Sequence, residues 1–228
     1  MIDKSECLVR LEGLSKVYRT DTVETTALRN INIDVFAGEF VAIKGPSGCG
    51  KSTLLNIVGM LDSPTSGMLV FGGDDIASLD DDELARLRKR HLGFVFQSFQ
   101  LVDELTVREN IEFALFFHRV PAAERKNRAT DVMERMEIAH RANHFPSQLS
   151  GGQQQRAAVA RAVIADPDLI LADEPTGNLD SEHGREVMGI LTELNRQGTT
   201  ILMVTHSTEH AQYASRDISL NDGQVIAA

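Results

Sequence analysis

GPSGCGKST, residues 45–53, is the stretch on which the reading of this chain turns. It fits the pattern G-x-x-x-x-G-K-[ST], and its surroundings are the ones that pattern requires. EFVAIKG at 39–45 reads as a buried strand running into the glycines, and STLLNIVGML at 52–61 carries apolar residues at helical spacing behind them. Gly45, Gly48 and Gly50, spaced by Pro46, Ser47 and Cys49, let backbone amides curl inward around phosphate oxygens. The helix N-terminus behind them, opening through Lys51, Ser52 and Thr53, adds positive potential. In that arrangement Lys51 reaches the β- and γ-phosphates of a nucleotide and Ser52 offers its hydroxyl to Mg2+. A bare glycine-rich turn is the alternative, and the strand-loop-helix context argues against it.

A phosphate cradle of this kind needs carboxylates at the end of a neighbouring buried strand. DLILADEP at 168–175 supplies them. Asp173 is placed to hold Mg2+, directly or through water, and Glu174 is the candidate general base that orients or deprotonates an attacking water. Around these two motifs the chain alternates. CLVRLEGL (7–14), INIDVF (31–36) and MLVFGGDDI (68–76) read as strands, and SPTSG at 63–67 punctuates the first helix with proline and glycine. From about residue 80 to 165 the character is helical: DDDELARLRKRH, VRENIEFALFFHR and AAERKNRATDVMERMEI. Alternation then resumes through a helix over REVMGILTELNRQG (185–198) and the strand TTILMVTH (199–206), and DISLNDGQVIA (217–227) forms a hairpin turning at Asn221, Asp222 and Gly223. Apolar strands alternating with helices imply an α/β fold with a mostly parallel sheet covered on both faces. The opening strands form an antiparallel β part, and the helical block is an insertion.

The stretch LSGGQQQR at 149–156 raises a different question. Ser150 and Gln153 fit a capping box, with Ser150 as N-cap, and Ala157, Ala160, Val163 and Ile164 give the following helix a packed side. Gly151 and Gly152 expose amides at its positive end, where an anion would bind. Physics alone leaves two readings open, a rigid capped helix or a second anion site.

Composition narrows the classes. The 228 residues carry a formal net charge of −10, with 42% hydrophobic and 25% charged residues. That balance is ordinary for a globular protein and argues against a general nucleic-acid binder, which neutralises phosphates with Lys and Arg. The densest basic run, RLRKRH at 86–91, reads as a solvated helix face. Cys7 and Cys49 lie far apart in sequence and read as reduced thiols in a cytosolic protein. No leader-like apolar stretch opens the chain and no segment approaches ~20 apolar residues, so the sequence is expected neither to cross nor to enter a membrane by itself.

Five motifs taken together, GPSGCGKST, Gln97 in FVFQ, LSGGQQQR, LILADEP followed by GNLD, and His206 in VTH, resemble the ATP-binding cassette ATPases over essentially the whole length. The resemblance implies an α/β, RecA-like P-loop NTPase core. Residues 1–87 and 166–228 would form the catalytic core with its β part, and about 88–165 the helical subdomain carrying the signature motif. It also implies roles. Tyr18 is placed like the aromatic that stacks on adenine. Gln97 looks like the residue that senses Mg2+ and attacking water, and His206 looks like the γ-phosphate contact. Ser150, Gly151, Gly152 and Gln153 would meet the γ-phosphate of ATP held by the other subunit of a head-to-tail homodimer. Asp180, at the acidic end of the loop that crosses to that subunit, would join these residues as an in-trans ATP contact. The loop reads Gly177-Asn178-Leu179-Asp180, where many relatives have serine and alanine first. The other six histidines match no motif and are expected to be surface or structural.

Within that family, residues 23–67 and DEPTGNLD at 173–180 look most like the branch serving macrolide export, lipoprotein release and related export. The expected partners are integral membrane subunits docking near Gln97–Leu105, with SFQLVDELTVREN at 98–110 as the contact and the protein peripheral on the cytoplasmic face of the cell membrane. Its apolar residues Phe99, Leu101, Val102 and Leu105 could equally be core of the helical lobe. A cell-division type signalling ATPase and an importer ATPase are the alternatives. DNA-maintenance and translation-associated cassettes fit poorly, because the helical block is too short for a coiled coil or zinc insert and one cassette is present.

Overall fold

The computed structural model describes residues 6–20 and 22–227. In chain order the elements are β1 (Cys7–Arg19), β2 (Glu24–Phe36), β3 (Phe40–Lys44), α1 (Lys51–Val58), β4 (Ser66–Phe71), β5 (Asp74–Asp75), α2 (Asp81–His91), β6 (Leu92–Phe96), α3 (Val107–Phe117), α4 (Ala122–Arg135), α5 (Gly151–Val163), β7 (Leu169–Asp173), α6 (Ser181–Arg196), β8 (Thr200–Thr205), α7 (Thr208–Ala211), β9 (Arg216–Asn221) and β10 (Gln224–Ala227).

Two sheets result. The first, ordered β2-β1-β4-β5, is antiparallel throughout. The second is ordered β10-β9-β3-β8-β7-β6, and every pairing in it except β10 with β9 is parallel. The continuous apolar runs in β3, β7 and β8 follow from burial on both faces. Phe40 and Ala42 of β3, Ile170 and Ala172 of β7, and Ile201 and Met203 of β8 point into one core, shared with α3, α4, α5 and α6. Their alternates Val41, Ile43, Leu169, Leu171, Leu202 and Val204 point into a second core, shared with α1 and the antiparallel sheet. The chain therefore stacks an antiparallel sheet, a parallel sheet and a helical layer, and its α/β class is the one the sequence implies.

Two local readings need correction. The block from 80 to 165 is not helical throughout, because Leu92–Phe96 forms β6 and pairs in parallel with β7. Five residues of mostly apolar sequence directly after the basic end of α2 are too short to show a period, and their burial decides the outcome. The helix after the glycine loop ends at Val58 with Gly59 as its C-cap, because Met60 turns into the left-handed region at φ 56°. Phe94 and Leu171 pack against Gly59 closely enough to leave no room for a side chain. At the far end Asp222 and Gly223 both have positive φ, as a two-residue hairpin turn requires.

Candidate active site

Because β3, β6, β7 and β8 run parallel, their carboxyl ends lie along one edge, where open α/β sheets place their ligands. The register puts Phe96 opposite Asp173 and Asp173 opposite Val204, and Lys44 opposite Thr205. The next residues along these strands are Gln97, Glu174, His206 and Gly45. The fold thus brings together four segments that lie up to 161 positions apart in sequence.

The loop from 45 to 50 closes around Lys51. Its ammonium donates to the carbonyls of Gly45 at 2.8 Å and Pro46 at 2.9 Å, and the side chain is nearly buried. Gly50 N-caps α1 at φ 105°, a conformation costly for any other residue, and a Cβ there would lie 2.5 Å from the carbonyl of Ala27. No side chain caps α1, which keeps its first amides available to an anion. Cys49 is buried beneath the loop, and both it and the half-buried Cys7 are free thiols.

Ser52 donates from Oγ to Asp173 Oδ1 over a long 3.4 Å. Burial, joined by the charge of Glu174, pushes the Asp173 carboxyl up, while Ser52 and Lys51 oppose the shift. Two hard oxygens facing each other, one of them a destabilised carboxylate, fit a small divalent cation such as Mg2+. That ion typically binds through one or two carboxylates and takes its remaining ligands from water and phosphate. Among the described residues no cluster of three or more His, Cys, Asp or Glu could hold a metal alone.

Glu174 begins a tight turn in the left-handed region, at φ 45°. Its amide donates to the carbonyl of Val204 at 3.0 Å, its carbonyl accepts from the amide of Gly177 at 2.9 Å, and His206 Nδ1 lies 2.8 Å from its Oε2. Gln155, fully buried on α5, donates from Nε2 to the carbonyl of Pro175 at 2.6 Å. This clamp between the signature helix and the Glu174 turn has no counterpart in the sequence reading, because nothing local marks which glutamine of QQQ faces inward.

The capping box at α5 forms as the sequence predicts, with Gln153 N donating to Ser150 Oγ at 3.3 Å and Ser150 N donating to Gln153 Oε1 at 3.2 Å. These residues do not join the Lys51 cluster within one chain. Gly151 lies instead against Leu179 and Phe99, and Gly152 is buried under the ring of His183, where a Cβ would come within 2.6 Å. Asp180 caps α6, accepting from the amides of Glu182 and His183 at 3.1 and 3.0 Å, and its Oδ2 sits 2.7 Å from His183 Nδ1. Those bonds hold the Asp180 carboxyl below its usual range, and the Asp180 bond raises His183. His210 pairs with Thr176 at 2.7 Å. Two histidines outside any motif therefore brace the loops between the catalytic and signature segments.

Tyr18, near the end of β1, exposes 43% of its surface. Its hydroxyl donates to Asp62 Oδ2 at 2.8 Å, and Lys16, paired with Asp62 at 2.6 Å, lies 4.8 Å from the ring centroid. Burial first, then the Asp62 bond, raises the phenol.

The stretch from 98 to 110 is knitted down rather than free. Asn110 is buried and bonds Val102 through both backbone groups, and also bonds the carbonyls of Leu105 and Thr106. Arg161 of α5 donates to the carbonyls of Phe99, at 3.0 Å, and Gln100. Leu101 packs on the core, while Val102 is exposed. The larger apolar surface lies beside it: Phe113, Phe116 and Phe117 are exposed and in edge contact along α3. A cavity of about 750 Å³ opens next to them, lined by Leu61, Phe94, Phe96, Gln100, Ala114 and Phe117. Among the described residues no helix is long and apolar enough to cross a membrane.

Comparison with known proteins gives concordant results. The family described as ABC transporter matches residues 28–177. The macrolide export ATP-binding/permease protein MacB of Brucella melitensis is 47% identical over 220 residues, covering 96% of this chain and 34% of MacB. The chain thus spans about a third of the length of that relative. An uncharacterized ABC transporter ATP-binding protein of Methanocaldococcus jannaschii, MJ1508, is 47% identical over 219 residues, covering 96% of this chain and 98% of the relative. Among solved structures, the ATP-binding cassette MJ0796, in a dimeric post-hydrolysis state bound to ADP and Pi, matches at a TM-score of 0.90 and 44% identity. That match covers 96% of this chain and 97% of the other.

Proposed function

The chain belongs to the ABC transporter family, and on that premise we propose that it is the ATP-hydrolysing subunit of an export or mechanotransmission system of the macrolide-export and lipoprotein-release type. The observation that carries the ATP-hydrolysing role is the convergence of the Lys51 loop, Asp173, Glu174, Gln97 and His206 at one edge of one parallel sheet, and the export branch is supported by the 47% identity to MacB.

In this mechanism Lys51 releases the carbonyls of Gly45 and Pro46 to take the β- and γ-phosphates of ATP, while the loop amides hold the oxygens. Mg2+, for which Ser52, Asp173 and Gln97 are the candidate ligands, supplies neutralisation of the charge spread over the phosphates. Glu174 accepts a proton from water as the water oxygen bonds to the γ-phosphorus and the bond to the bridging oxygen of ADP breaks, leaving ADP and phosphate. His206, whose Nδ1 lies 2.8 Å from Glu174 Oε2, has its ring oriented by that carboxylate beside the position of the γ-phosphate it would contact. Residues 1–87 and 166–228 serve as the catalytic core and about 88–165 as the helical subdomain, with β6 lending one strand to the core sheet.

Two chains face head to tail. Ser150, Gly151, Gly152 and Gln153 of one meet the nucleotide on the other's glycine loop, and each ATP is shared. The carboxylate of Asp180 is spent on its own helix, so what it brings to the interface is a rigid loop end. Loss of the γ-phosphate contacts lets the interface open. The membrane subunit docks on the cavity beside Phe117 and on the exposed Phe113, Phe116 and Phe117, holding the protein at the inner face of the cell membrane. Gentle purification from membranes is expected to bring along a subunit with four membrane helices and a large periplasmic domain. A many-helix partner with a binding-protein dock would instead assign the chain to an importer.

Tyr18 stacks on the base in this reading. Tyr18→Ala is expected to weaken ATP binding about tenfold, since base–aromatic stacking is worth about 1–3 kcal/mol. Tyr18→Trp retains binding, and GTP and ATP are affected alike because every base has a π-face. Titration of a fluorescent nucleotide reads this directly, and unchanged affinity in Tyr18→Ala would remove the ring from the site.

A further inference from the structure

Gln97 does not lie free at the end of β6. The Nδ2 of Asn178 donates to the Gln97 backbone carbonyl at 3.0 Å, and Gln97 Nε2 donates to Asn178 Oδ1 at 3.2 Å. The order of these bonds is fixed by chemistry. A backbone carbonyl only accepts, so the Asn178 end that meets it is the amino group. That leaves Asn178 with only its oxygen for the Gln97 side chain, and an amide oxygen only accepts. The end of Gln97 turned toward Asn178 is therefore its nitrogen. The oxygen of Gln97 is the end without a hydrogen bond among the described residues.

The loop carrying Asn178 is itself fixed. Gly177 donates to the carbonyl of Glu174, and the amide of Leu179 donates to the carbonyl of Thr176 at 3.1 Å. The Gln97 side chain lies flat across Gly177, where a Cβ would come within 2.7 Å of Nε2 and 2.9 Å of Cδ. Asn178 thus stands on the same turn that aims Glu174, and reads the Gln97 amide from it.

We propose that Asn178 is a positioning residue that sorts the two ends of the Gln97 amide, so that oxygen rather than nitrogen is left for a divalent cation or a water donating to it. This rests on the reading of Gln97 as a residue that meets the nucleotide-bound cation. The sorting matters because an amide oxygen can ligate a hard cation and an amino end cannot. An amide without Asn178 divides its time between two orientations, which alone halves the competent fraction. The lost rotamer restraint adds to that, and together they weaken cation binding about 2- to 10-fold.

The test uses Mn2+ as probe, with its affinity for the chain loaded with a non-hydrolysable ATP analogue read by electron paramagnetic resonance. ATP turnover is measured alongside. Asn178→Ala is expected to weaken Mn2+ binding 2- to 10-fold and to lower kcat with the KM for ATP unchanged. Gln97→Ala is expected to do at least as much, and Asn178→Ala added to Gln97→Ala to do nothing further, because the amide it sorts is gone. Equal losses from Asn178→Ala with and without Gln97 would make Asn178 a prop for the loop and overturn the proposal. So would Mn2+ affinity unchanged in Asn178→Ala while Gln97→Ala lowers it. If Gln97→Ala itself leaves both Mn2+ affinity and turnover intact, the reading of Gln97 fails and the proposal falls with it.

Discussion

Glu174→Gln is expected to lower ATP turnover by about 10²–10⁴-fold, the range associated with loss of a positioned general base, while leaving ATP binding intact. The substitution keeps the shape of the side chain and its hydrogen bond to His206, which lies 2.8 Å away in the native chain. It removes the capacity to take a proton and, with it, the negative charge that helps push the Asp173 carboxyl up. The backbone turn that aims residue 174 is held independently, by Val204, by Gly177 and by the Gln155 clamp on Pro175, so the variant should fold and melt like the parent. Binding rests on Lys51 and the glycine loop, which the substitution does not touch. A chain that binds ATP but cannot cleave it would keep the γ-phosphate that, in the proposed dimer, bridges two subunits, so ATP should drive the variant into a stable dimer by gel filtration. A Glu174→Gln chain that hydrolyses ATP at the parental rate would remove Glu174 from the base role.

Much of this site is legible in the sequence because its chemistry is written in short contiguous motifs. GPSGCGKST, LILADEP and VTH each combine an apolar strand with the functional residue that follows it, and parallel pairing carries their ends to one edge. The capping box at Ser150 is legible for the same reason, since both partners lie within one helical turn. Less legible are the contacts that join one motif to another. Asn178 with Gln97, His183 with Gly152, Gln155 with Pro175 and Arg161 with the carbonyls of Phe99 and Gln100 all cross between segments. Their residue types carry no periodicity and no local spacing that would mark them. The strand Leu92–Phe96 was hidden differently. Its five residues resemble the tail of a helical block, and only burial against β7 distinguishes them. The apolar surface beside the cavity lined by Phe96 and Gln100 likewise belongs to Phe113, Phe116 and Phe117 on α3, whose helical spacing reads as core until the packing is known.

Ser150→Arg is expected to abolish hydrolysis, by at least about 10²-fold, without weakening nucleotide binding to the single chain. The cost to folding is small. Losing the Ser150 cap costs about 1 kcal/mol, and a cation at the helix N-terminus costs about 0.3–1 kcal/mol more, against roughly 5–15 kcal/mol of total stability for a domain. The hydrogen bonds of Ser150 among the described residues stay within its own helix turn, to Gln153 and Gln154, so an isolated chain should take up ATP as before. What the arginine fills is the space at the amides of Gly151, where a neighbour's γ-phosphate would sit. Mixing makes the distinction sharp. Lys51→Ala spoils a chain's own glycine loop and leaves its Ser150 segment intact, while Ser150→Arg does the reverse. If each site is built from the loop of one chain and the Ser150 segment of the other, a dimer of one of each holds one complete site and one doubly broken site. Two inactive preparations should then recover activity on mixing. If each chain carried its whole site, neither member of the mixed dimer could work, and a mixed dimer seen by native mass spectrometry with no recovered activity would sink the shared site.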